Sequence, residues 1–417
     1  MKKFPRINFR TIMIFLAVVG PGIITANVDN DAGGITTYSV AGAQFGYKML
    51  WLFIPMTVAL IVVQEMSARM GAVTGKGLAD LIRENYGVRM TLLIMVSLLL
   101  ADLGNTISEF AGVAASMEIF NVSKYISVPI AAFLIWIIVV KGTYKHVERI
   151  FLVASGLYFT YVLSGAMASP PWRTVARELA VPNFTFSGGY IAMVIGLIGT
   201  TIAPWMQFYI QSAVVEKGIT VKEYAYSRLD VIVGCFMTDI VALFIVVACA
   251  ATIFVHGIHI ETAKDAALAL APLAGKWAST LFALGLLNAS IFSASILPLA
   301  TAYYICEAFG VEAGIDKSWD EAPIFYWLYT LLIVAGAGVI LIPGVPLISV
   351  MLWSQVVNGV LLPFILIYML SLINRKELMG GYVNSKGFNI IAWLTTAILI
   401  VLTLMLVVIS IFPDILN

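Results

Sequence analysis

Long apolar runs dominate this chain, and short polar connections separate them. A helix crossing the hydrocarbon core of a bilayer needs about 20 mostly apolar residues. Roughly eleven stretches reach that length, near 11–42, 48–72, 88–118, 124–141, 147–169, 188–217, 229–256, 277–309, 323–342, 346–373 and 389–412. The longest hydrophilic connections, near 170–187 and 257–276, are about twenty residues each. No sizeable water-soluble domain fits between the spans. The pattern therefore predicts one all-α, polytopic membrane domain over 1–417 and leaves no room for an appended catalytic domain.

Segments one and six depart from this pattern because polar, Gly and Pro residues interrupt them midway. The first interruption reads Asn27-Val28-Asp29-Asn30-Asp31-Ala32-Gly33-Gly34. A carboxylate at mid-bilayer costs about 3 kcal/mol or more unless compensated, so an intramembrane acid marks a functional site. Gly33 and Gly34 permit the backbone to leave the helix, and freed carbonyls must find protein, water or an ion. The C-terminal end of the preceding half-helix adds partial negative charge. The second interruption reads Gly199-Thr200-Thr201-Ile202-Ala203-Pro204-Trp205-Met206-Gln207. Pro204 cannot donate a backbone hydrogen bond, so carbonyls near Thr200 and Ala203 are expected to be freed. If five helices make a repeat, segments one and six correspond, as the discontinuous helices of inverted-repeat transporters do around a midplane site.

Composition strengthens the membrane reading. The 417 residues are 61% hydrophobic and 11% charged, with a mean hydropathy of +0.98. A formal net charge of +1 gives no reason to expect a nucleic-acid partner. Cys235, Cys249 and Cys306 sit in apolar runs and read as small buried hydrophobes. The first ten residues carry Lys2, Lys3, Arg6 and Arg10 ahead of a long apolar stretch, which favours a first spanning helix over a cleaved signal. With the N-terminus inside, eighteen Lys and Arg fall on the inner side and six on the outer. This bias predicts a cytoplasmic N-terminus, and an odd helix count then puts the C-terminus outside.

Several motifs in order resemble the Nramp family of divalent metal transporters. They are Gly20-Pro21-Gly22, then Asp31-Ala32-Gly33-Gly34 against the family's DPGN, then Ala41-Gly42-Ala43-Gln44-Phe45-Gly46-Tyr47 against AGAxxGY. Ser67-Ala68-Arg69-Met70-Gly71, Thr74-Gly75-Lys76, Gly275-Lys276-Trp277-Ala278-Ser279-Thr280 and Ser354-Gln355-Val356-Val357 follow. The resemblance covers most of the chain. It implies a LeuT-like core of ten helices in two inverted repeats, about 11–169 and 188–373, with an extra helix at about 389–412. It also implies alternating access around an ion held between helices one and six.

The departures from the family pattern narrow the chemistry. Asp31 is kept, but Gly34 replaces the asparagine of DPGN. The family's Met-Pro-His in helix six is Ala203-Pro204-Trp205, and a downstream histidine falls near Gln211. In helix three the family's aspartate falls at Thr106, while Glu109 is retained. The thioether is a soft ligand that favours transition metals, and it is gone. The remaining candidate ligands are oxygens: Asp31, carbonyls near Thr200 and Ala203, with Asn30, Asp29, Gln207 and Gln355, and a site widened at Gly34 and Ala203. Oxygen ligands with retained water suit Mg2+ and also accept Mn2+. The sequence is therefore most similar to the Nramp-related magnesium transporter branch. His146, His256 and His259 lie near predicted helix ends, so protons lack the family's relay.

Asp102 and Glu109 lie seven residues apart on one helical face. They read either as a polar pathway or as interhelical hydrogen-bonding acids. Asp239 and Glu307 read as structural, Glu65 as the partner of a basic residue, and Met206 as a soft ligand only if the register of helix six shifts. The expected function is a plasma-membrane Mg2+ and Mn2+ transporter without proton coupling, with the ion as substrate and no cofactor or obligatory protein partner. The alternative within the family is a proton-coupled Mn2+/Fe2+ importer. An amine transporter on this fold would want freed amides rather than the acidic 29–31 run, and no catalytic motif supports a membrane enzyme.

Overall fold

The computed structural model describes residues 20–141, 153, 155–315 and 317–412. The N-terminal basic cluster, the start of segment one, the start of segment five and His146 lie outside the described residues. Within them the chain is all helix, without strands. The first pair of helices is α1 (Pro21–Val28) and α2 (Ala32–Phe45), followed by α3 (Phe53–Thr74), α4 (Leu78–Ile119), α5 (Lys124–Lys141) and α6 (Phe159–Met167). A short α7 (Trp172–Ala180) lies in the connection read as a loop, ahead of α8 (Gly188–Thr201) and α9 (Pro204–Glu216). The remaining long helices are α10 (Tyr224–Thr252), α11 (Ala278–Phe309), α12 (Pro323–Ile340), α13 (Leu347–Ile373) and α14 (Lys386–Ile411), with short helical turns at Ala263–Ala267, Ala271–Ala274 and Lys376–Met379.

Nine helical stretches among the described residues are long and apolar enough to cross a membrane. The first of them, Ala32–Thr74, takes in part of segment one and all of segment two. Segment three begins where α4 bends, at Gly87, whose φ of 78° and ψ of 170° only glycine adopts easily. The apolar surface is where a bilayer-embedded bundle needs it: Tyr125, Ile126, Ile130 and Phe133 of α5 and Trp393, Leu394, Val401 and Leu404 of α14 are exposed. By contrast, 94% of an 18-residue window within Gly188–Glu216 is buried, more than in any of the other eight stretches, so α8 and α9 form the centre of the bundle. The architecture is the LeuT-like inverted repeat, with α1/α2 and α8/α9 as its two broken helices.

The broken helices are held by specific neighbours. α10 packs against both α1 and α2, α13 against α8, and α4 against α11 and α13. The start of α1 is capped from α10: the amides of Gly20, Gly22 and Ile23 donate to the Asp230 carboxylate at 3.3, 2.6 and 3.3 Å. Pro21 occupies the first helical position, where its missing N–H costs nothing. A side chain at Gly22 would meet Val231 N at 2.6 Å, so glycine there lets α1 lie on the α10 backbone. Replacing Asp230 with Ala removes this cap. Loss of an N-cap is worth about 1–2 kcal/mol, so amide hydrogen exchange across 20–28 should quicken while α10 itself stays protected. Unchanged exchange would show that the cap does not anchor α1.

Candidate functional site: the junction of two broken helices

The first break occupies Asp29–Asp31 only. Asp31 is extended, with φ −71° and ψ −177°, and it is the N-cap of α2, its carboxylate accepting from the Gly34 amide at 2.5 Å. Gly33 and Gly34 are therefore not the unwound residues that the sequence suggested. They are helical, and what they provide is closeness. A Cβ on Gly33 would overlap the Gln355 side-chain amide, and one on Gly34 would meet Asp29 O at 2.5 Å and Thr200 Oγ1 at 3.0 Å. The expected widening at Gly34 is thus absent in this conformation, because without a Cβ the backbone closes onto Thr200.

Three elements converge on the Asp31 carboxylate. From α4, Glu109 accepts from the Ala32 amide at 3.2 Å and adjoins Asp31; from α13, Gln355 adjoins it as well. From α8, Thr200 presents a buried hydroxyl without a hydrogen-bond partner among the described residues. The second oxygen of Glu109 is likewise buried and unpartnered. A further bond ties the two broken helices together, Tyr38 Oη to Thr201 Oγ1 at 3.0 Å.

The second break is only Ile202 and Ala203, after which Pro204 opens α9. Pro204 has no N–H to offer Thr200 O, as expected. The carbonyl of Ala203 is not free here. It accepts from Met206 N at 3.2 Å and from the Gln207 side-chain amide at 3.1 Å, because an amide four residues on reaches back across one turn. Gln207 Oε1 stays buried and unpartnered. Where the family has its first helix-six histidine, Trp205 is buried beside Tyr209, at 6.0 Å between ring centroids. Gln211 donates to Lys76 O at 2.8 Å. Met206 packs in the hydrophobic core.

The structure thus draws Asp31, Gly34, Thr200, Gln355 and Glu109 together and pairs Ala203 with Gln207. Asn30 and Asp29 face elsewhere: Asn30 Nδ2 donates to Thr238 Oγ1 at 2.7 Å, and Thr238 Oγ1 donates to Asp29 Oδ2 at 3.3 Å. Asp102 does not touch Asp31. It accepts from Thr301 at 2.9 Å, Tyr304 at 2.5 Å and Asn105 at 3.2 Å. A ladder of amides nevertheless connects it to the site. Asn105 and Asn358 exchange two bonds of 3.1 and 3.0 Å, and Asn358 donates to Gln355 Oε1 at 3.0 Å. Asn105, Thr238, Asn358 and Asp230 were not singled out from sequence; a polar residue inside an apolar span is the one signal that would have found them. Glu65 pairs with Arg69 at 3.2 Å.

No group of three or more His, Cys, Asp or Glu among the described residues is arranged to hold a metal ion. Whatever is bound at the junction meets one or two carboxylates plus neutral oxygens.

The model of the family described as natural resistance-associated macrophage protein-like, Nramp, matches residues 22–409. The chain belongs to the Nramp family. This Nramp chain is 27% identical over 419 residues to a divalent metal cation transporter MntH of Deinococcus radiodurans, covering 94% of this chain and 90% of the relative. It is also 27% identical over 399 residues to the transporter of that name from Yersinia pestis, covering 93% of each. Among solved structures, the manganese transporter of Eremococcus coleocola, in complex with an aromatic bis-isothiourea substituted compound, superposes with a TM-score of 0.75 at 21% identity, covering 97% of this chain and 88% of that one. A nucleobase-cation-symport-1 family transporter in a closed conformation gives a TM-score of 0.59 at 14% identity, covering 95% and 91%. Nramp proteins of this kind are transporters, not enzymes.

Proposed function

We propose that this Nramp protein is a divalent metal cation transporter that carries Mg2+, and also Mn2+, across the plasma membrane by alternating access at the α1/α2 and α8/α9 breaks. The observation that carries the proposal is the donor set around Asp31. Its ligating atoms are oxygens, from Asp31, Glu109 and Thr200, with Gln355 turning its amide nitrogen to the junction and its oxygen to Asn358, while Ala203 and Trp205 stand where a thioether and an imidazole would be. Hard, strongly hydrated ions take such sites, with one or two carboxylates and retained water. The relatives that are named as divalent metal and manganese transporters support the coarser part of this reading.

Transport here runs without protons. Trp205 cannot titrate, Gln211 is committed to Lys76 O, and Thr106 is bonded to Asp102 O at 2.7 Å. The driving force is the ion gradient and the membrane potential, which gives a doubly charged cation about 4–5 kcal/mol per 100 mV on entering an inside-negative compartment. The whole chain acts as one membrane transport domain, with the N-terminus cytoplasmic and the C-terminus extracellular.

Liposomes carrying the protein and a lumenal pH dye test the finer claims. Mg2+ and Mn2+ should each enter and compete, Cd2+ should compete weakly, and lumenal pH should hold steady during influx. Lumenal acidification tied to metal entry, or dominance of Cd2+ over Mg2+, would favour the proton-coupled transition-metal importer instead.

A further inference from the structure

The Asp31 junction leaves a second group of buried acids unused. On the opposite side of the first break, Asp29 meets α10, at Thr238, rather than α4 and α13. The carboxyls of Asp29 and Asp239 lie within electrostatic reach of each other. Both residues are more than nine-tenths buried, at 3% and 4% exposure. Neither belongs to any ion pair among the described residues.

Two buried acids held against each other without a counter-charge are costly, and hydrogen bonding does little to offset them. Both Asp239 oxygens, Asp29 Oδ1 and Asn30 Oδ1 are buried and have no hydrogen-bond partner among the described residues. The hydroxyl of Thr57 is the donor beside Asp239, and it is shared with Phe53 O, which it meets at 2.7 Å. Asp29 receives a single bond, from Thr238 at 3.3 Å. A purely structural acid is normally satisfied; Asp102, with three donors, shows what that looks like in this fold. Around Asp29 and Asp239, four buried acceptor oxygens, one of them from Asn30, and two carboxyl groups have only the shared hydroxyls of Thr57 and Thr238 beside them.

We propose that Asp29 and Asp239, with the Asn30 side-chain oxygen, form a second divalent-cation site, separate from the Asp31 junction and next to it along the transport path. Two carboxylates and a neutral oxygen suit a Mg2+- or Mn2+-sized ion that keeps several of its waters. The two sites share only the backbone of the first break: Asp31 serves the side toward α4 and α13, and Asp29 the side toward α10. An ion can therefore be held at the acid pair while still largely hydrated, then pass residue 30 to Asp31. The proposal rests on the transport reading above for its ion, but not on Asp31 for its binding.

The test separates the two. Full-length protein carrying Asp31→Ala is titrated with Mn2+, with free Mn2+ followed by electron paramagnetic resonance, alongside Asp31→Ala/Asp239→Asn and Asp31→Ala/Asp29→Asn. The expected result is that Asp31→Ala still binds one Mn2+ and that each added substitution weakens this binding about tenfold or more. In the Asp31-intact protein, Asp239→Asn should raise the Mn2+ concentration for half-maximal flux by a similar factor and leave the saturated rate within about twofold. Absence of Mn2+ binding to well-folded Asp31→Ala protein would overturn the second site and leave the Asp31 reading standing. Binding that persists unchanged in both double variants would overturn it as well. Undiminished flux in Asp31→Ala would instead sink the reading of the junction. The Asp29→Asn arm decides the matter if the Asp239 variant does not yield folded protein.

Discussion

Replacing Asp31 with Ala should reduce Mg2+ and Mn2+ influx at least about 100-fold, close to the leak of empty liposomes. The size follows from what the residue does. Asp31 is the carboxylate on which α4, α8 and α13 converge, and Glu109, the other acid there, already accepts from the Ala32 amide. Losing Asp31 leaves an ion shedding water at mid-bilayer with Glu109 as the one carboxylate at the junction, and uncompensated charge at that depth costs several kcal/mol. Asp31 also caps α2, so Ala removes a hydrogen bond worth about 1 kcal/mol. Asp31→Asn separates the two roles. Its side-chain oxygen can still accept from the Gly34 amide while the charge is lost. It should unfold at nearly the parental temperature and still fail to transport. Rapid flux in Asp31→Asn would show that the charge is not what the ion needs.

The second large effect is structural. Gly199→Val should cost more than about 3 kcal/mol, enough to lose most folded protein from the membrane. A Cβ at Gly199 would overlap Gln355 O and Gly359 N and lie 2.7 Å from Gly359 Cα. Gly359 is similarly pressed against Ile195 O. Thus α8 and α13 touch backbone to backbone, which is how helices associate where lipid removes the hydrophobic drive. No rotamer change relieves a clash with backbone atoms. The crossing also fixes Gln355 against Gly33, so any variant that folds should lose transport too. Gly104 is the control. Nothing lies within 4 Å of its would-be Cβ in α4, and Gly104→Ala should be neutral or stabilise by about 0.5–1 kcal/mol. Equal thermal stability of the Gly199 and Gly104 variants would contradict the account of this crossing.

The spans and the two breaks were legible because each has a local signature. A run of about 20 apolar residues is a span, and acids or Pro within such a run mark a break. What the sequence did not disclose is pairing across long separations. Asp230 caps Gly22 from 208 residues away, and Asn105 meets Asn358 across 253. No periodicity records such meetings. The glycines of the first break were misjudged for a related reason. Sequence shows that Gly33 and Gly34 can leave the helix, but only the packing shows that Gln355 and Thr200 need the space. Asp239 read as structural, and its closeness to Asp29 shows only once α10 and the first break are assembled.

The central claim is that this chain moves a hard divalent cation through a site built on the breaks of its first and sixth helices. The most direct measurement is Mg2+ influx into liposomes holding the full-length chain, with the membrane potential clamped inside-negative by a K+ gradient. The account predicts saturable Mg2+ entry that rises with the potential, is inhibited by Mn2+, and is absent from protein-free liposomes. Mg2+ entry no faster than in protein-free liposomes, under conditions where Cd2+ or Fe2+ crosses readily, would contradict it.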